Sequence, residues 1–381
     1  MGISLEREIL VVVGTGGVGK TTLSAALGLA ALESKERVLV VTIDPAQRLA
    51  DALGLDSLTH TPQRVCSPTP GGGALWALML DTQRTFDELV ARDLRDPESR
   101  RGIVENPIFQ NLTDAVSGSR EYSAMEKLFE LHASGDYDLI VLDTPPATHA
   151  LDFLDAPRRL SGFLDSNLQK ALLKPAVVVG RSGFRALRRG TDAVISIIRR
   201  ITGLEFLQLI SGFLVALEDL WKGLSQHADA LHELLRSERG GFALVVQPNP
   251  VQAKRAAEFS SRLDAEGIRL DALLLNRMTA GFPGVKPTSE KTREDLCGAI
   301  APQLPPHSPE TATALSDGLC DWVDATLRRT EAEEQASLEL QSALRLTPEQ
   351  VCRVPRLSGE LHSREALSAL IPYLVKRNDR G

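Results

Sequence analysis

Four side chains in this sequence have the types and order needed to hold and cleave a polyphosphate: Lys20, Thr21, Asp44 and Asp143. The first two close the string Gly14-Thr15-Gly16-Gly17-Val18-Gly19-Lys20-Thr21-Thr22, which fits G-x-x-x-x-G-K-[ST]. Glycines in such a loop let backbone N–H groups turn toward phosphate oxygens, and the helix that follows adds its partial positive charge. Lys20 can then reach the β- and γ-phosphates of a nucleoside triphosphate, and the Thr21 hydroxyl can ligate Mg²⁺. Asp44 ends a second apolar run, where a carboxylate can orient a water in line with the terminal phosphate; before Pro45 it can equally cap a turn. Asp143 closes Leu139-Ile140-Val141-Leu142 and has the form of an acid that holds Mg²⁺ through its water shell. The segment Thr144 to His149 can sense the terminal phosphate and move when it leaves. His149 itself reads as a structural contact of that segment before it reads as a ligand or proton carrier.

These groups need strands to carry them. Ile9-Leu10-Val11-Val12-Val13 precedes the glycine string, and the helix-prone Leu23-Ser24-Ala25-Ala26-Leu27-Gly28-Leu29-Ala30 follows it. Five more apolar runs read as buried strands: 38–42, 76–80, 139–142, 242–246 and 272–275. Helix-like stretches separate them, which predicts an α/β protein with a doubly wound, mostly parallel sheet. Val351 to Val354 offers a last strand and Ser363 to Lys376 a closing helix. Pro62 to Gly73, with three prolines and three consecutive glycines, reads as an exposed loop. Residues 156–238 show no strand pattern. They are expected to form a helical insertion into a core made of 1–155 and 239–381.

Within that insertion Val194, Ile197, Ile198 and Ile201 recur at helical spacing, as do Phe206, Ile210, Phe213, Leu217 and Trp221. A helix packed between two others accounts for so broad a face, as does a groove for a hydrophobic client. Residues 158–200 carry a net charge of +8 against −15 for the rest of the chain. A solvated basic face or a site for an acidic partner would produce this asymmetry. The overall charge of −7 argues against a nucleic-acid partner. The acidic start lacks the positive region of a signal peptide, and Glu6 breaks a myristoylation pattern. The uncharged stretch Phe206 to Leu217 is far shorter than the roughly 20 apolar residues of a membrane span. Cys66, Cys297, Cys320 and Cys352 show no C-x-x-C spacing, as expected of buried thiols in a reducing compartment. The expectation is a cytoplasmic protein, free or peripheral at the inner face of the membrane.

Three stretches together resemble one family. They are GTGGVGKTT at 14–22, TIDPAQRLADALG at 42–54 and LDTPPATHALDFL at 142–154. The chain looks like a member of the arsenite/anion-transporting ATPase (ArsA-type) family, which includes the ATPases that deliver tail-anchored membrane proteins. The resemblance implies nucleotide roles for Lys20, Asp44 and the loop Gly14 to Thr22, and Mg²⁺ roles for Thr21 and Asp143. A weaker match at Leu275-Asn276-Arg277 implies that Asn276 contacts the adenine, with Arg277 beside it. It also implies a dimer, of identical chains or with a paralogue, and a client-binding role for the insertion, the client being a hydrophobic protein or a membrane transporter. This chain departs from the pattern in places. Thr15 stands where the family has a signature lysine, so that a positive charge is missing. Gln47 and Arg48 replace the usual histidine and its neighbour, and Pro145 replaces an alanine. The zinc-binding C-x-x-C of the targeting members is absent. The expected activity is therefore an ATP-hydrolysing dimeric switch. The alternatives are a weakly hydrolysing partner of an active paralogue, or the ATPase subunit of an arsenite or oxyanion pump using Cys297, Cys320 and Cys352.

Overall fold

The apolar runs become neighbouring strands of one sheet, because each is buried on both faces and needs helices above and below it. The computed structural model describes residues 2–44, 46–66, 73–93, 120–144, 223, 225–303, 309–357, 359 and 363–375. The strands are β1 (Ile9–Gly14), β2 (Arg37–Thr42), β3 (Gln63–Cys66), β4 (Ala74–Met79), β5 (Leu139–Asp143), β6 (Gly240–Val246), β7 (Leu270–Met278) and β8 (Val351–Pro355). Their order is β3-β4-β2-β5-β1-β6-β7-β8, and every pair is parallel except β3 with β4. The expected α/β sheet is thus present. The loop expected over Pro62 to Gly73 is corrected in its first part: Gln63–Cys66 pairs antiparallel at the sheet edge.

Alternation along each strand sends side chains to two separate cores. From β1, Ile9, Val11 and Val13 meet α4 (Arg120–Ala133), the helical residues 225–236, α5 (Pro250–Ala265) and the end of α7 (Pro309–Ala343). Leu10 and Val12 face the other way, toward α1 (Lys20–Ala31), α2 (Arg48–Leu53), α8 (Arg364–Ser368) and α9 (Ile371–Leu374). The remaining helices are α3 (Thr82–Asp93) and α6 (Glu290–Ile300). The single closing helix expected over Ser363 to Lys376 is two short ones, and the second carries Pro372 in its first turn, where the missing N–H is tolerated. Most of the expected insertion lies outside the described residues, including the basic stretch 158–200 and its two apolar faces, and so does His149 of the segment that follows β5.

The placement of α1 decides where its N-terminus points. Its small residues let it lie close on the sheet: Ala25, Ala26, Gly28, Ala30 and Ala31 are all buried. A side chain at Gly28 would press on Val40 and Leu75 of β2 and β4. Gly28→Val is expected to destabilise the protein by about 1–3 kcal/mol in urea unfolding, because the helix must lift from a packed surface.

Candidate active site

Four strand ends meet at the carboxyl edge of the sheet, and they gather the residues singled out in the sequence. β1 leads into the glycine string, and Lys20 opens α1. Gly19 holds φ at 93°, a left-handed value that turns the chain into the helix, and a Cβ there would strike the Asn276 amide. Unlike α5, α6 and α8, which are capped by Asn249, Ser289 and Ser363, α1 has no side-chain cap. Its first backbone N–H groups are left for an outside acceptor, the arrangement that suits an anion.

The deepest group is Asp143, 1 % exposed at the end of β5. Its Oδ2 accepts hydrogen bonds from the hydroxyls of Thr21 (2.7 Å) and Thr42 (3.0 Å), one from α1 and one from β2. The parallel register sets Thr42 directly beside Asp143. Oδ1 is buried and has no hydrogen-bond partner among the described residues. Burial pushes the Asp143 carboxyl up to about 6; the two hydroxyls and the Lys20 charge oppose that rise, and Asp44 adds to it. An orphaned carboxylate oxygen next to a threonine hydroxyl is an all-oxygen donor set of the kind Mg²⁺ takes, so the residues present fit that ion.

Lys20 is also buried, 9 % exposed, with Nζ 3.3 Å from the Thr15 carbonyl oxygen. Burial lowers its affinity for a proton, Asp143 and Asp44 raise it, and Arg48 lowers it again. Asp44 is more open. Its Oδ1 accepts from the Ala46 N–H at 3.0 Å, so the turn-capping role is realised, while Oδ2 pairs with Arg48 at 3.3 Å. The Asp44 N–H donates to the Thr42 hydroxyl (3.2 Å), which itself donates to Asp143. One threonine thereby joins the two acidic motifs. Thr144 ties the same corner to β1 through the Val12 carbonyl at 2.8 Å.

A cavity of about 730 Å³ runs along this edge. Gly16, Gly17, Gly19, Lys20, Thr21, Thr22, Asp44, Asn276 and Arg277 all line it. Gly14 and Val18 sit beneath, buried in the sheet and its core. The Thr15 hydroxyl turns aside to Gln252 Oε1 at 2.7 Å, on the first turn of α5. Asn276 donates its amide to the Val18 carbonyl (2.7 Å), locking β7 to the loop. Arg277 has φ at 60°, a left-handed value, which lets its guanidinium reach the Gly17 carbonyl at 3.2 Å. Sequence reasoning missed the far wall, made by Arg356, Leu357, Gly359 and Leu370 after β8. No motif marks these residues; only the pairing of β8 with β7 brings them there.

Among the described residues, no trio of His, Cys, Asp or Glu is placed to hold a metal ion, so the three cysteines of the pump alternative do not converge. Cys297 contacts Thr313, whereas Cys352 is buried against Leu374 on the other side of the sheet. No described helix is long and apolar enough to cross a membrane.

A glycine-rich loop between a central strand and an uncapped helix, with Lys-Thr at its start and an acid on the next strand, defines a P-loop NTPase fold. The pattern of one family, described as anion-transporting ATPase, matches residues 7–283, and the chain belongs to that family. It is 32 % identical over 161 residues to the ATPase GET3 of Malassezia globosa, covering 42 % of this chain and 43 % of that protein. It is 34 % identical over 159 residues to an ATPase ASNA1 homolog of Babesia bovis, covering 41 % and 40 %. Over 293 residues it is 26 % identical to an arsenical pump-driving ATPase of Escherichia coli, covering 75 % of this chain and 41 % of that protein. The chain spans less than half the length of each of these relatives.

The raised Asp143 carboxyl has a consequence for stability. The folded chain holds a proton that the unfolded chain releases between about pH 4 and pH 6, so stability falls as pH rises through that window. Asp143→Asn removes this burden. Without nucleotide, the variant is expected to exceed the parent in stability by about 1–3 kcal/mol at about pH 8, with the gap closing below about pH 4, as read by urea titration.

Proposed function

We propose that the chain binds Mg·ATP across this cavity and hydrolyses it, as a switch in which two chains, alike or paralogous, face each other across two nucleotides. The observation that carries the reading is the Thr21–Asp143–Thr42 cluster with its unpaired oxygen, set under an uncapped, glycine-led helix beside Lys20. Thr21 and Asp143 would hold the magnesium ion, which supplies neutralising charge to the phosphates. The loop N–H groups and the Lys20 ammonium bind the phosphate oxygens. Asn276 and Arg277 border the base end, four strands away from Asp44 in the sheet order.

Asp44 positions the attacking water. As the water oxygen bonds to the γ-phosphorus, the bond from that phosphorus to the bridging oxygen breaks; ADP leaves with that oxygen, inorganic phosphate carries the hydroxyl of water, and the water's other proton is released to solvent. Loss of the terminal phosphate would be felt at Thr144, anchored on β1, and passed into the chain that follows it. Residues 156–238 are proposed as the client-binding insertion, with a hydrophobic protein or a membrane partner as client. The side chain of Thr15, held on Gln252 and uncharged, favours slow turnover by the chain alone and faster turnover with a partner. The scattered cysteines give no comparable support to an arsenite pump.

Two variants test this reading. Lys20→Ala is expected to weaken Mg·ATP binding by about two orders of magnitude in calorimetry. Asp44→Asn should keep binding and lose turnover by roughly 10²–10³-fold in a phosphate-release assay. Unaltered affinity in the first contradicts the phosphate-binding role of Lys20, and unaltered turnover in the second contradicts the water-positioning role of Asp44.

A further inference from the structure

Among the described residues, four cationic side chains line the cavity: Lys20, Arg48, Arg277 and Arg356. Two of them are bonded to the glycine loop. Lys20 lies at the floor of the loop on the Thr15 carbonyl. Arg277 donates to the Gly17 carbonyl, and Arg356 follows β8, whose end is tied to β7 through the Met278 carbonyl. Arg48 stands alone at the acidic end, with Nη1 3.3 Å from Asp44 Oδ2.

The sheet order fixes the direction in which a nucleotide can lie. The apolar wall, Leu357 and Leu370, is with Arg356 near β7 and β8, while Asp143 and Asp44 end β5 and β2 on the opposite side of β1. A base takes the apolar end, so the last phosphate of the chain arrives beside Asp44 and Arg48. There the need for charge is greatest, because a terminal phosphate bears about two negative charges and Lys20 supplies one positive charge. Thr15, the other loop side chain near Lys20, offers only a hydroxyl, and that is engaged by Gln252.

Arg48 is also weakly held. Its side chain is 69 % exposed, and its bond to Asp44 is an i,i+4 surface pair, a kind that holds its partners weakly. A phosphate presents several oxygens to the planar guanidinium fork and outcompetes one carboxylate oxygen at the same distance. If Lys20 and Thr21 hold a nucleoside triphosphate as proposed above, we infer that Arg48 leaves Asp44 and grips the terminal phosphate. The same movement uncovers Asp44 Oδ2, the oxygen paired with Arg48, and leaves it to accept a hydrogen bond from the attacking water. Gripping the terminal phosphate and releasing the water-orienting carboxylate are then one event, so the carboxylate is freed only when a third phosphate is present.

The test compares Mg·ADP with the slowly hydrolysed Mg·ATPγS by calorimetry on the full-length chain. Arg48→Ala is expected to weaken Mg·ATPγS binding by about tenfold or more while leaving Mg·ADP binding unchanged. Arg48→Lys should recover part of the loss, and Thr15→Lys added to Arg48→Ala should recover part of it from the loop side. Retained Mg·ADP binding also shows that the variant is folded. Equal loss for both nucleotides, or no loss for either, overturns the assignment of Arg48 and leaves the nucleotide site standing. Unchanged affinities with altered turnover overturn it too, since they make Arg48 a restraint on Asp44 only. Failure of the unaltered chain to bind either nucleotide overturns the reading of the site and this assignment together.

Discussion

A single carboxylate oxygen, Oδ2 of Asp143, ties together the three elements that build the site. It is the shared acceptor for a hydroxyl from α1 and a hydroxyl from β2, while its own residue ends β5 between them. Buried as it is, that oxygen would be poorly tolerated without both donors. The loop, the first acidic motif and the second are therefore positioned by one small polar cluster inside an apolar sheet. Its other oxygen has no hydrogen-bond partner among the described residues. A protein that keeps a buried acid oxygen without a hydrogen bond sacrifices stability, a trade common at functional sites.

The rest of the fold serves to hold that corner still. Two cores clamp the sheet, and the α1 side is packed closely enough that Gly28 has no room for a side chain. On the far side of β1, Asn276 bonds the Val18 carbonyl and Arg277 adopts a left-handed backbone to meet Gly17. The glycine loop is thus braced from β7 while its lysine and threonine face β5. Two hydrogen bonds hold the loop on its β7 side. On the β2 side of the cavity Asp44 is half-exposed and Arg48 exposed.

Much of this is legible in the chain itself. Apolar runs with no polar alternation mark the buried parallel strands, and acids at the ends of two of them mark the chemistry. Lys20, Thr21, Asp44, Asn276, Arg277 and Asp143 all fall on one continuous edge. Other features depend on register, which spacing does not reveal. Thr42 merely opens a motif in the sequence, yet pairing opposite Asp143 makes it the link between the two acids. β3 is hidden because a short edge strand with Gln63 and Arg64, bordered by prolines, has the composition of a loop. The far wall from Arg356 to Leu370 is more than 300 residues from the glycine string and has no signature of its own.

The central claim is that the Asp143 cluster is a magnesium position on which nucleotide binding depends. Calorimetric titration of the unaltered chain with ATP, once with Mg²⁺ and once with excess EDTA, tests it directly. Saturable binding that weakens by at least about tenfold when Mg²⁺ is withdrawn is the expected result. Equal binding with and without the ion, or no binding in either, would contradict it.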